Sequence, residues 1–259
     1  FIKCPNDQLP LFNGCSENYI SPLNQYLENY TKKKHGNKVI GGLFKLKRKN
    51  HLVFFDVGIP PKKSFSKCYQ SGPLSFEYFL DGVKIISNSG FGDNISNKAI
   101  LLSRLTACQS TMTLNDTSVS KFERNKLINK VFGNSIKNSF KTYNLSINNE
   151  KNLFGCSAEH NGYEKNFSCT HKRKISLDKE NNYLMGSDHI FKKKDGIPIR
   201  YVFRFHINPE LAVVKTIGGN SALIQLSKNK SLIFTISDEN LEIEKSIFLG
   251  GKKILDSNC

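Results

Sequence analysis

The chain of 259 residues contains no tryptophan, no Cys-x-x-Cys pair and no apolar run long enough to cross a membrane. Each gap removes a class of protein. Without paired cysteines there is no zinc-ribbon spacing, and seven cysteines scattered from Cys4 to Cys259 do not form a disulfide framework. Without an apolar stretch of roughly 20 residues there is no spanning helix. No glycine-rich phosphate loop and no Gly-x-Ser-x-Gly elbow is present, which disfavours nucleotide and esterase chemistry. The histidines (His35, His51, His160, His171, His189, His206) show neither HExxH nor His-x-His spacing. Acidic residues are also scarce, 22 against 38 Lys and Arg, for a net charge of +16. Such a surface attracts polyanions, but a lysine excess in an Asn- and Ile-rich chain is equally read as a solvated basic surface. No RNP-like motif or basic helix supports nucleic acid as the partner.

What is present is β-sheet. The 19 Phe and 9 Tyr support a buried core. The segment LSFEYFLDGVKIIS (74–87) alternates on both sides of Asp81-Gly82, the pair that supplies positive φ in a tight hairpin turn. HLVFFDV (51–57) is a compact apolar strand. Further strands are expected over 42–47, 110–114, 142–147, 155–160, 171–177, 183–188, 201–207, 213–216, 222–226, 232–236 and 241–248. Many short strands at near-regular spacing predict an all-β fold, a large antiparallel β-sandwich. Ser21-Pro22 followed by near-3.6 apolar spacing to Tyr30 predicts a short N-terminal helix. The polar stretch 115–139 reads as a long loop with a short helix. No internal repeat and no linker divides the chain.

Three groups of side chains invite chemistry. In FRFHINP, Arg204 and His206 alternate onto one strand face, either as a cationic pair for an anionic ligand or as a structural His beside an exposed Arg. Glu159-His160-Asn161-Gly162-Tyr163 gathers a carboxylate, an imidazole and a phenol at a strand end. His with Tyr is the pair a proton abstraction needs, and a turn with an aromatic anchor is the alternative. Lys45 and Lys47 alternate as on a solvated edge strand.

Read in order, DQLPLFNG (7–14), FFDVGIPP (54–61), YQSGPLSFEYFLDGVKIISNSG (69–90), RLTACQSTMTLNDTS (104–118), AEHNGYEKNFSCTHKRKISL (158–177), RFHINP (204–209) and SIFLGG (246–251) resemble the C-terminal domain of the heparinase II/III-like polysaccharide lyases. The resemblance implies a β-supersandwich over residues 37–259. Residues 1–36 would be a linker and short helix following an α/α-toroid domain, so the chain reads as a piece of a longer protein. It further implies β-elimination on an acidic, uronic-acid-containing polysaccharide, with the main acid and base contributed by the toroid. His160 and Tyr163 match the family's H-D-G-Y-like motif and are the catalytic candidates within this chain. Gln70, Asn88, Gln109, Arg104, Arg204 and His206 are the substrate-binding candidates. A periplasmic or secreted location follows from the family, while the odd cysteine count leaves the cytoplasm open.

The departures concern a metal. Where relatives carry a His, an Asp and a second His holding structural zinc, this sequence has Gln70, Asn88 and Gln109. Carboxamides are poor zinc ligands, so the expectation is no metal and a hydrogen-bonded polar network instead. The neighbouring thiols Cys68 and Cys108 are the alternative donors.

Overall fold

The computed structural model describes residues 3–5, 8–17, 26, 38–150, 152–194, 199–237 and 239–259. The helix expected over 21–30 therefore lies outside the described residues except for Tyr26, as does His35. The strands in chain order are β1 (Lys38–Ile40), β2 (Leu43–Arg48), β3 (His51–Asp56), β4 (Phe76–Leu80), β5 (Val83–Ser87), β6 (Met112–Leu114), β7 (Thr142–Asn149), β8 (Leu153–His160) and β9 (Cys169–Asp178). They continue as β10 (Leu184–Lys192), β11 (Tyr201–Phe203), β12 (His206–Ile207), β13 (Ala212–Lys215), β14 (Ser221–Ser227), β15 (Lys230–Thr235), β16 (Lys245–Phe248) and β17 (Leu255–Asn258).

These strands form antiparallel sheets of eight (β1-β2-β3-β4-β5-β12-β17-β16), four (β10-β9-β8-β7), three (β13-β14-β15) and two strands (β11-β6). The main core lies between the first two. Phe44, Leu46, Val53, Phe55, Phe76 and Tyr78 from the large sheet meet Phe154, Cys156, Ala158, Ile175 and Leu177. Alternation along β3 explains why all six of its residues are buried. Val53 and Phe55 enter this core, whereas Leu52 and Phe54 point to the opposite face, where Cys4 and Phe12 cover them. Covering a fully buried phenylalanine such as Phe54 contributes roughly 2–3 kcal/mol, so segment 8–17 is part of the fold and not a loose lead-in.

The β4–β5 hairpin turns on Asp81 (φ 51°) and Gly82 (φ 84°), the left-handed pair its sequence requires. The expected helix in 115–139 is Lys126–Phe132, capped by Asn125, whose side chain accepts from the Leu127 and Ile128 amides. Two expectations are corrected. The continuous strand over 201–207 breaks at Arg204-Phe205, because the chain there leaves β6 and joins β5 and β17. Arg204 and His206 therefore do not share a strand face. In addition β2 is paired by β1 and β3 and is no edge, and Lys45 lies over the Phe54 ring at 5.6 Å.

Candidate functional site

Gln70, Asn88 and Gln109 are 2%, 0% and 1% exposed. Gln70 Nε2 donates to the Gly90 and Ser103 carbonyls, both at 3.0 Å, and its Oε1 accepts the Gly14 amide at 3.0 Å. Gln109 Nε2 donates to the same Ser103 carbonyl at 2.8 Å. Asn88 donates to Leu11 O at 3.2 Å and accepts the Ser110 amide at 2.9 Å. The partners fix each amide's orientation: a flipped Gln70 would set an oxygen against two carbonyls. Gly90 can lie this deep because it carries no Cβ. Its φ is +78°, and a Cβ there would stand 2.3 Å from Gly250 Cα.

Arg104 closes the neighbouring loops. It is 1% exposed, and its Nε, Nη1 and Nη2 donate to Tyr69 O, Asn134 O and Ser66 O at 2.9, 2.5 and 2.8 Å. The Phe122 ring lies 3.9 Å from the guanidinium carbon. Its charge is met by carbonyl dipoles, and burial pushes its pKa down to about 10.

The EHNGY motif opens a hydrogen-bonded chain that the sequence revealed only at one end. The Gly162 amide donates to His160 Nδ1 at 3.1 Å, so His160 carries its proton on Nε2. That Nε2–H donates to His171 Nδ1 at 3.2 Å, which leaves the His171 proton on Nε2, donating to Asp188 Oδ1 at 2.6 Å. Arg173 grips the same carboxylate through Nε at 2.7 Å and Nη2 at 3.1 Å, and its Nη1 reaches Leu74 O and Ser110 O. Burial pushes the Asp188 carboxyl up, but Arg173 and His171 outweigh it and hold it below the usual carboxylate range. Burial, helped by His171 and Arg173, holds His160 far below its ordinary value. Burial also lowers His171 despite Asp188. Both imidazoles are neutral at pH 7. Tyr163 is 1% exposed and its hydroxyl faces the Met112 and Thr117 carbonyls, both at 3.1 Å, with burial raising its pKa. Glu159 lies on the other face of β8, where it accepts from Tyr143 and Thr170.

His206 is likewise interior, 4% exposed. Its Nε2–H donates to Ala107 O at 2.9 Å and its Nδ1 accepts from Ser246 Oγ at 3.0 Å. Burial carries its pKa down to about 4. Arg204 is half-buried, with Nη1 on Thr113 Oγ1 at 2.6 Å. It lines an open groove of about 1420 Å³ with Arg173, Asp188, His189, Arg200 and Tyr201. Sequence reading missed this groove, whose walls come from β4, β5, β10, β11 and β15. The available signal was in β10, where His189 and Phe191 are exposed and stacked with centroids 6.3 Å apart, an unusual use of apolar surface. Of the eight residues singled out, seven are thus interior and held by fold partners, and Arg204 alone reaches the groove.

Fold and site together define an antiparallel β-supersandwich with a polar, hydrogen-bonded interior and an open groove where the smaller sheets part from the large one. The sequence matches the family model "Heparinase II/III-like, C-terminal" over residues 34–258, and the chain belongs to that family. No curated protein sequence matches it. Among solved structures it resembles the heparan sulfate lyase HepC from Pedobacter heparinus at 14% identity and a TM-score of 0.74, covering 99% of this chain and 41% of that one. It resembles a heparinase III gene product at 13% identity and TM-score 0.75, over 99% and 41%. For another heparinase III the values are 14%, 0.70, 99% and 43%. At these identities the likeness is one of fold. The chain spans about two fifths of the length of these neighbours.

Proposed function

We propose that this chain is the β-sandwich part of a polysaccharide lyase acting on an acidic, uronic-acid-containing polysaccharide, and that it binds and supports the substrate without supplying the acid or base. The observation that carries this reading is the family match over 34–258 in a fold shared with enzymes named heparinase and heparan sulfate lyase. β-Elimination needs a base for the C5 proton, neutralisation of the uronate carboxylate and an acid for the leaving oxygen. His160, His171 and His206 each have both ring nitrogens engaged inside the fold, which suits support and not proton transfer to a sugar. The groove suits an anionic sugar chain better. Arg200, Arg204 and Lys192 supply positive charge, and Tyr201, Phe203 and Phe191 supply faces for the apolar side of a sugar ring. In this reading the acid and base come from an α/α-toroid domain joined through residues 1–36, and Gln70, Asn88, Arg104 and Gln109 act through the fold.

The test is the full-length protein incubated with a panel of uronic-acid polysaccharides, read by the ultraviolet absorbance of the unsaturated product. Product from at least one, none from residues 1–259 alone, and weaker binding by Arg204→Ala are the expected results. Full-length protein silent on every acidic glycan overturns the lyase reading. The replaced metal positions and the engaged imidazoles favour a second reading, a non-catalytic carbohydrate-binding or scaffold protein. That protein would bind the polysaccharide without releasing product.

A further inference from the structure

The resemblance to metal-bearing relatives implies zinc at the positions of Gln70, Asn88 and Gln109, and the arrangement of these side chains does not fit one. Zinc needs lone pairs converging on a point, from imidazole, thiolate or carboxylate. Here two N–H donors, Gln70 Nε2 and Gln109 Nε2, converge on the Ser103 carbonyl. The oxygens of Gln70 and Asn88 are each turned to a main-chain amide. A cation entering this cluster would meet amide hydrogens.

The partners of these amides show a different use. Gly14 and Leu11 belong to the segment that precedes the sandwich, and they lie 56 and 77 positions in sequence from Gln70 and Asn88. The remaining partners, Gly90 and Ser110 in loops and Ser103 at the end of the helix Asn97–Ser103, belong to the sandwich and are held together by the same side chains. Asn88 is braced in turn by its own amide, which donates to Glu77 Oε1 at 3.1 Å on β4. We infer that Gln70 and Asn88, with Gln109 sharing the Ser103 carbonyl beside Gln70, form a metal-independent clasp that fastens segment 8–17 to the sandwich by main-chain hydrogen bonds. Leu11, fully buried, and Phe12, against Leu52 and Phe54, complete the attachment with apolar contact. A chain entering the sandwich through this segment is thus held at a fixed point without a metal ion, whatever the protein cleaves.

The experiment has two arms on the whole chain. The first measures zinc content after purification with zinc present, and the melting temperature with and without a chelator. Substoichiometric zinc and an unchanged melting temperature are expected. One zinc per chain whose removal lowers the melting temperature overturns the inference, including the case in which Cys68 and Cys108 hold it. The second arm follows amide hydrogen exchange in Gln70→Ala. The Gly14 amide should exchange roughly tenfold faster, the loss of one buried hydrogen bond, while β3 amides keep their protection. Unchanged exchange at Gly14, or equal acceleration throughout the sandwich, overturns the clasp. Should that variant fail to fold, Gln70→Asn keeps a carboxamide too short to reach Gly14, and the same amides are read in it.

Discussion

Replacing His206 by Gln should flatten part of the pH dependence of folding. The imidazole is 4% exposed, its Nε2–H is held by Ala107 O and its Nδ1 by Ser246 Oγ, and its folded pKa is about 4. In the unfolded chain the same group titrates near 6.5, about the ordinary histidine value. Because the folded value is depressed, the unfolded chain takes up a proton between those two pH values that the folded chain refuses. The contribution is intact above pH about 6.5 and is lost as pH falls toward about 4, at roughly 1.4 kcal/mol per unit and about 3 kcal/mol in all. A glutamine retains an N–H for Ala107 O and does not titrate. Urea unfolding of both proteins at pH 7, 6 and 5 gives the difference between their stabilities. His51, His160 and His171, also held down by burial, are common to both and cancel. That difference should shrink by about 2 kcal/mol from pH 7 to pH 5. Parallel curves would show that His206 is not an interior neutral imidazole, and the reading of this part of the core would fail.

Asp56 should behave with the opposite sign. Burial raises its pKa to about 7 despite the Gly58 amide at 2.9 Å, so the folded chain favours the protonated form and loses stability as pH rises from about 4 through 7. Asp56→Asn should therefore gain more in melting temperature at pH 8 than at pH 5, with about 4 kcal/mol as the upper bound, and equal shifts at both would refute it. Arg173→Met should cost about 3–5 kcal/mol in urea unfolding, since it leaves Asp188 without its bidentate partner and two carbonyls without a donor. Adding Asp188→Leu should recover part of that loss, and no recovery would argue that packing against Phe76 and Phe205 dominates.

Local patterns carried the fold a long way. The 74–87 hairpin was legible because alternation and the Asp-Gly pair agree, and β3 because the apolar, aromatic-rich run Leu52–Phe55 is short and compact. The break between β11 and β12 was not, since FRFHIN alternates without interruption. What ends the strand is a change of partner: the Arg204 amide bonds Thr111 O, and the His206 amide bonds Ser110 Oγ. The helix Asn97–Ser103 had a legible cap in Ser96, whose hydroxyl accepts the Ala99 amide, but its seven residues are too few for a clear period. Arg173 was hidden for another reason. KRK reads as solvated charge, yet alternation on β9 turns Lys172 and Lys174 to one face and Arg173 to the other, where Asp188 waits on a strand paired through Arg173↔Asp188. The amides at Gln70, Asn88 and Gln109 could be noticed only against the family's pattern. Their partners, up to 77 positions away, needed the fold.

The same alternation bears on what a net charge of +16 means. Arg104 and Arg173 are each 1% exposed and held within the fold, Arg104 solvated by three carbonyl dipoles and Arg173 paired with the Asp188 carboxylate. Arg104 adds to the formal charge without offering a polyanion contact, whereas Arg173 cancels against Asp188 in the sum. The cations that line the groove beside Arg173 are Lys192, Arg200 and Arg204, and they share it with Glu239, Glu242 and Glu244. A groove so nearly balanced cannot hold a sulfated or uronate chain by long-range attraction alone, because exposed charges more than about 8 Å apart are screened at physiological salt. Under the proposed reading, recognition there comes from close contact, with Arg204, held by Thr113, as the oriented cation and the rings of Tyr201 and Phe203 in the same groove. Raising salt should then weaken polysaccharide binding less than Tyr201→Ala does, whereas binding through the diffuse lysine surface would show the reverse order.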